Sequence, residues 1–204
     1  MKHFPALLLA ILLLVLCCLT GCRKSTPPTV EDIYDEAVAL IEASYAINDA
    51  IFGYGLPVWP LESQHAALTG VYRDSDSAAY ERVTDQTPFL STTNLLSAME
   101  EVYSADYVDS LRETLFDGFV VGSNVILAQL YENETALYQS ATHEPLVKTQ
   151  RIYDYASMTI VKPSNAHFVT LELDSHMPGE EETLTVRLSL ILEDDGWRLD
   201  TPTY

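Results

Sequence analysis

The sequence predicts an α+β domain in which N-terminal helices pack on one face of a curved antiparallel sheet. Apolar residues recur at helical spacing over Val30–Phe52 and again over Thr92–Phe116. From Val120 onward the period changes to two, most regularly over Thr183–Leu192. Helices followed by strands is the pattern of an antiparallel sheet covered on one side. The domain is expected over 30–204, after two segments of different character, 1–21 and 22–29.

Segment 1–21 reads as a cleaved export signal. Lys2 and His3 precede an apolar run from Phe4 to Leu19, broken only by Pro5. That run of about 15 residues is short of the ~20 that cross a bilayer as a helix. A basic start, a short apolar core and small residues at the cut define a signal peptide, which takes no part in the fold. Leu19-Thr20-Gly21-Cys22 resembles a bacterial lipobox. The resemblance implies cleavage before Cys22 and a diacylglyceryl group on its thiol, two chains being what a stable anchor needs. The domain would then lie at the cell membrane, on its extracytoplasmic face. The plainer alternative, an ordinary signal with an incidental Cys22, does not explain why Leu, Gly and Cys fall in register. Residues 22–29, with Pro27 and Pro28, read as a short tether.

Each element follows from local pattern. Val30, Ile33, Tyr34, Ala37, Leu40, Ile41, Tyr45, Asn48, Ile51 and Phe52 share one helical face. Glu31, Asp32, Asp35 and Glu36 sit in the first turns, where negative charge suits the helix dipole. Gly53, Gly55, Pro57 and Pro60 end that helix in a loop. Ser63–Pro88 carries no single period; Tyr80–Thr84 has the composition of a short strand and Asp74–Ser77 that of a turn. Within Thr92–Phe116 there are two apolar stripes, Leu95 to Tyr103 and Tyr107 to Phe116. Ser104 is placed to cap a second helix and Gly118 to close it. Val125–Tyr131 and Ala136–Gln139 bracket a hairpin turn at Glu132–Thr135. Strands are expected over Ile152–Val161, which stops at Pro163, and over Phe168–Leu173 and Thr183–Leu192. A turn at Glu193–Gly196 leads to a last strand, Trp197–Leu199, with Trp197 in the core.

Charge and cysteine usage bound the function. The chain holds 11 Lys and Arg against 30 Asp and Glu, a formal net charge of −19. Such a surface repels nucleic acid and favours basic partners, besides keeping a tethered domain soluble. All 3 cysteines lie at or before residue 22, so the domain has no disulfide, thiol nucleophile or thiolate metal site.

The expected protein is not an enzyme and carries no cofactor or metal. His65, His143, His167 and His176 are scattered, and Pro145 follows His143-Glu144, against a zincin helix. Asp74-Ser75-Asp76 begins like a calcium loop, yet Ala79 stands where glycine is required and Asp85 where a bidentate Glu is. Gly122-Ser123-Asn124 lacks the second glycine of a nucleophile elbow, and no phosphate-binding glycine motif occurs. The 12 tyrosines all follow the tether. Tyr pairs an apolar ring with a polar tip, which suits binding surfaces, although any single one more often belongs to the core. Tyr153 and Tyr155 lie two apart, hence on one strand face, next to Arg151 and Asp154. Tyr80, Arg82, Asp85, Arg151, Tyr153 and Tyr155 are the candidate binding residues.

Two stretches resemble known families. Tyr80-Glu81-Arg82-Val83-Thr84-Asp85, with Phe89, Leu95 and Val102-Tyr103-Ser104-Ala105-Asp106-Tyr107, is similar to exported proteins of Gram-positive bacteria that inhibit cell-wall DL-endopeptidases. Leu192-Glu193-Asp194-Asp195-Gly196-Trp197-Arg198-Leu199 resembles the final strand of NTF2-like (cystatin-like) domains. The first resemblance implies a non-catalytic protein that docks on a basic cell-wall hydrolase, steered by charge. A lipid on Cys22 departs from free diffusion through the wall and confines such an inhibitor to the membrane. The second implies a small-molecule pocket inside the curved sheet, the alternative reading.

Overall fold

The computed structural model describes residues 26–59, 68–69, 79–121, 124–147 and 149–204. Cys22, the leader, Asp74–Ser77, His65 and Gly122-Ser123 lie outside the described residues.

Helix α1 is Val30–Ile51, matching its apolar period. Thr29 and Asp32 form a reciprocal capping box: Thr29 Oγ1 accepts from the Asp32 N–H at 3.3 Å, and the Thr29 N–H donates to the Asp32 carboxylate at 2.8 Å. The Thr29 hydroxyl also donates to the Asp32 carboxylate at 2.7 Å, and this bond, then that from the Thr29 N–H, holds the Asp32 carboxyl below its ordinary pKa. At the other end, carbonyls that no longer have intrahelical donors are met from distant chain. Gln129 Nε2 donates to the Ala50 and Ile51 carbonyls at 3.2 and 3.1 Å, and the Leu146 and Val147 N–H groups both donate to the Phe52 carbonyl at 2.8 Å.

Helices α2 (Thr92–Val102) and α3 (Ala105–Arg112) correspond to the two apolar stripes. Ser104 caps α3 as its position predicts, accepting from the Tyr107 N–H at 3.2 Å. The chain then widens into a π turn over Glu113–Asp117 and leaves it at Gly118, φ +65°. A Cβ at Gly118 would stand 2.6 Å from the Ile126 carbonyl oxygen, so both conformation and space require glycine.

Ten strands follow the chain: β1 Leu68–Thr69, β2 Ala79–Arg82, β3 Phe119–Val121, β4 Asn124–Ile126, β5 Leu130–Glu132, β6 Leu137–Ser140, β7 Ile152–Val161, β8 Phe168–His176, β9 Thr183–Glu193 and β10 Gly196–Leu199. They form three sheets among the described residues: an antiparallel meander β10-β9-β8-β7, a sheet β1-β2-β6-β5, and the hairpin β3-β4. The α+β class holds, but the expectation of one curved sheet preceded by helices is corrected twice. β1 and β2 come before α2, and a second four-stranded sheet exists. The expected strand Val125–Tyr131 is also divided, between β4 and β5. Gln129 leaves the ladder there: its N–H donates to the Thr114 carbonyl at 3.1 Å while its side chain caps α1.

The core lies between α1 and the meander. Val169, Leu171 and Leu173 of β8, Leu188 and Leu190 of β9, and Trp197 and Leu199 of β10 are buried against Ile33, Ala37, Ile41 and their neighbours. α2 packs on α1 and β10, and β5 on α2. Of the alternating leucines in β9, Leu184 is exposed, because the first residues of that strand extend beyond the core. No helix of the described residues is long and apolar enough to cross a membrane.

Candidate functional site

The candidate site is a cleft of about 500 Å³ where α1 meets the start of β7. Glu42 and Tyr45 of α1 form one wall, the segment Thr149–Tyr153 with Tyr155 the other, and Pro178 part of the rim. Tyr153 and Tyr155 share a face, as their spacing predicts, with ring centroids 6.4 Å apart and planes inclined by 15°. Beyond them β7 bulges: between Asp154 and Thr159 it advances five residues while β8 advances two. The odd excess reverses the inward parity, so Tyr153 is buried before the bulge and Met158 after it.

A buried polar cluster holds Tyr153 in place. Its hydroxyl donates to the Thr203 carbonyl at 2.8 Å. Thr203 is fully buried between α1 and β7, and its own hydroxyl accepts from Asn48 Nδ2 at 2.7 Å while lying 2.5 Å from Ser44 Oγ. Asn48 Oδ1 accepts from the Tyr103 hydroxyl at 2.7 Å, and Ser44 Oγ donates to the Ile41 carbonyl at 2.6 Å. Donors therefore run in one direction, Tyr103 to Asn48 to Thr203 to Ser44 to Ile41. Every member is satisfied, which is the condition under which a buried polar cluster rigidifies a core.

Burial raises the pKa of Tyr45, Tyr153 and Tyr155 above the ordinary value. Nearby Glu42 adds to the rise at Tyr45 and Tyr155. Tyr45 adds to the rise at Tyr153, and Arg151 opposes it. The three phenols are therefore neutral at pH 7, serving as stacking surfaces and hydrogen-bonding groups. The cleft is polarised, with Glu42 at the Tyr45–Tyr155 end and Arg151 at the Tyr153 end. Arg151 reaches back to donate to Ser175 Oγ at 3.3 Å. Gln150 Oε1 is buried with no hydrogen-bond partner among the described residues.

The six candidate residues are divided by the fold. Arg151, Tyr153 and Tyr155 come together in this cleft. Arg82 and Asp85 line a different depression of about 320 Å³ with Trp59 and Leu90. Tyr80 belongs to neither, which corrects its reading as a surface residue: it is fully buried, its hydroxyl donating to the Ala128 carbonyl at 2.7 Å. Its inward position follows from pairing of β2 with β6, a partner almost sixty residues away that local pattern does not reveal. Glu42, Tyr45 and Gln150 were not singled out by sequence. Tyr45 at the margin of the α1 stripe was the one available signal; Glu42 and Gln150 carried none. The interior pocket implied by the NTF2-like resemblance would lie on the meander face toward α1. The meander face toward α1 is filled by the core side chains, and the cleft lies at the β7 edge of that sheet.

No protein-family model matches the chain, and no curated protein matches it.

Proposed function

We propose that the protein is a lipid-anchored, extracytoplasmic, non-catalytic binding protein whose interaction site is the Glu42–Tyr45–Tyr153–Tyr155 cleft, and that its partner is a basic cell-envelope protein such as a cell-wall hydrolase. The observation that carries the reading is the open tyrosine-lined cleft with Glu42 at one end and Arg151 at the other. Aromatic side chains with polar tips are what interface centres are made of. The displaced titrations in the cleft belong to tyrosines held neutral, which supports recognition rather than proton transfer. The formal charge of −19 supports a cationic partner and a fast, salt-sensitive encounter. Anchoring rests on the lipobox-like Leu19–Cys22, and the inhibitor role on the resemblance carried by Tyr80–Asp85 and Val102–Tyr107.

The test is capture from solubilised envelope by the full-length protein, at low and high salt, followed by a wall-hydrolysis assay. A hydrolase retained at low salt, released at high salt and slowed by the wild-type protein is the expected result. The double variant Tyr45→Ala/Tyr155→Ala should lose both retention and inhibition. Equal retention by wild type and double variant would remove the cleft from the interface.

A second reading has its own support. The cleft volume falls in the range of about 300–1,000 Å³ typical of small-ligand sites, and its tyrosine hydroxyls and Arg151 offer a few polar groups among apolar rings. Saturable binding of a small envelope metabolite, with no protein retained under either salt condition, would favour it.

A further inference from the structure

We infer that the cleft seats an extended peptide segment that adds as a strand to the free edge of β7, with a Lys or Arg side chain between Glu42 and the Tyr45 and Tyr155 rings. This rests on the proposed binding function and specifies the chemistry of its partner. β7 ends its sheet, and among the described residues no strand pairs with its side away from β8. Ile152 and Tyr153, consecutive in β7, both line the cleft. Successive strand side chains point to opposite faces, so a hollow touching both lies along the strand edge, where backbone donors and acceptors are offered.

The edge is open over a limited stretch. At Asp154 the strand bulges against β8: Ser157 Oγ donates to the Asp154 carbonyl at 2.7 Å and accepts from the Asp174 N–H of β8 at 2.7 Å, while Asp154 Oδ1 accepts from the Ala156 N–H at 3.1 Å. The bulge breaks the regular edge there. An added strand is thereby confined to the residues that precede it, beside the cleft. Charge selects the side chain. Glu42 forms no ion pair among the described residues, and it stands by two tyrosine rings, a combination that attracts a cation. Arg151 at the other end, held to Ser175, suits a peptide carbonyl or an acidic neighbour in the same segment.

The experiment uses full-length protein in detergent and three decapeptide probes: alternating Lys and Val, the same peptide N-methylated on alternate amides, and alternating Glu and Val. Anisotropy should show binding of the Lys peptide and weakening of about tenfold or more on N-methylation, since methylation removes the donors that make the ladder. Glu42→Gln should weaken the Lys peptide by about three- to fivefold, the scale of an exposed ion pair. Hydrogen exchange should slow at the Tyr153 amide, which faces away from β8, between Ile152 and Asp154, which face it. Strand addition is overturned if no peptide binds, if the N-methylated or Glu peptide binds as well as the Lys peptide, or if protection appears elsewhere. Loss of envelope-protein retention in the Tyr45→Ala/Tyr155→Ala variant would still stand in that case. Retention failing while the Lys peptide binds at β7 would instead remove the envelope partner and leave the edge chemistry intact.

Discussion

At the scale of single residues, the buried donor chain through Thr203 is the most sensitive point of the structure. Thr203→Val keeps the shape but leaves Asn48 Nδ2 and Ser44 Oγ short of a partner, at a cost of about 1–3 kcal/mol for each stranded group. Asn48→Leu also strands the Tyr103 hydroxyl, so its urea midpoint should fall further than that of Thr203→Val. Equal, near-zero shifts in both variants would show that water enters the cluster freely. Asn48 was legible in the sequence because it falls on the apolar stripe of α1. Thr203 was not: nothing in Thr201–Tyr204 marks it as a core residue, and its burial depends on Ser44 and Asn48 of α1 and on Tyr153 of β7, all distant in the sequence.

At the scale of elements, boundaries follow the signals that local chemistry supplies. The cap of α3 and the ends of β7 and β9 were readable because a side chain within four residues satisfies or denies a backbone group, whereas the Thr29–Asp32 capping box of α1 emerged only in the structure. The division between β4 and β5 was not, since Gln129 is drawn out of the ladder by carbonyls of α1 and by Thr114. Two glycines guard junctions of this kind. At Gly118 a side chain would meet the Ile126 carbonyl at φ +65°, and at Gly55, φ +82°, it would meet Gln139 Oε1 at 2.3 Å. Gln139 Oε1 also accepts from the Leu56 N–H at 2.7 Å, so it cannot move aside without losing that bond. Gly118→Ala and Gly55→Ala should each destabilise by about 1–3 kcal/mol, seen as lowered melting temperatures. Gly179, with φ +82° but open space around it, should lose less on the same change.

At the scale of the whole molecule, tyrosine burial sets the response to alkali. Burial, the largest cause, raises the pKa of Tyr103 and Tyr107 as it does in the cleft tyrosines. Tyr107 stacks on Tyr103 at 4.7 Å and bonds to Tyr204, which packs on Phe52. For a raised phenol the neutral form is the one the fold favours. Its contribution is therefore fully present below the unfolded value of about 10 and is lost as pH rises from there toward the higher folded value. Phenolate absorbance should accordingly show these tyrosines ionising in one cooperative step, coincident with loss of circular dichroism. Gradual ionisation of every tyrosine with the fold intact would contradict the burial described here. At low pH the sign reverses for Asp32, whose lowered pKa stabilises α1 above the ordinary carboxylate range and ceases to do so as pH falls through the folded value.

What the sequence by itself determined are the features that depend on near neighbours: the α+β class, α1, the two helices divided at Ser104, the strands from Ile152 to Leu199, and the shared face of Tyr153 and Tyr155. Periodicity and capping act within one or two turns of chain, and the residues that decide them are adjacent in the sequence. Tertiary structure alone decided the second sheet, the burial of Tyr80, the parity reversal after Tyr155 and the assembly of the cleft. The second sheet and the burial of Tyr80 depend on β2 meeting β6, and the cleft on Glu42 and Tyr45 of α1 meeting Thr149–Tyr155, across long intervals of chain. Such contacts form because distant surfaces are complementary once folded, a property that no local spacing records.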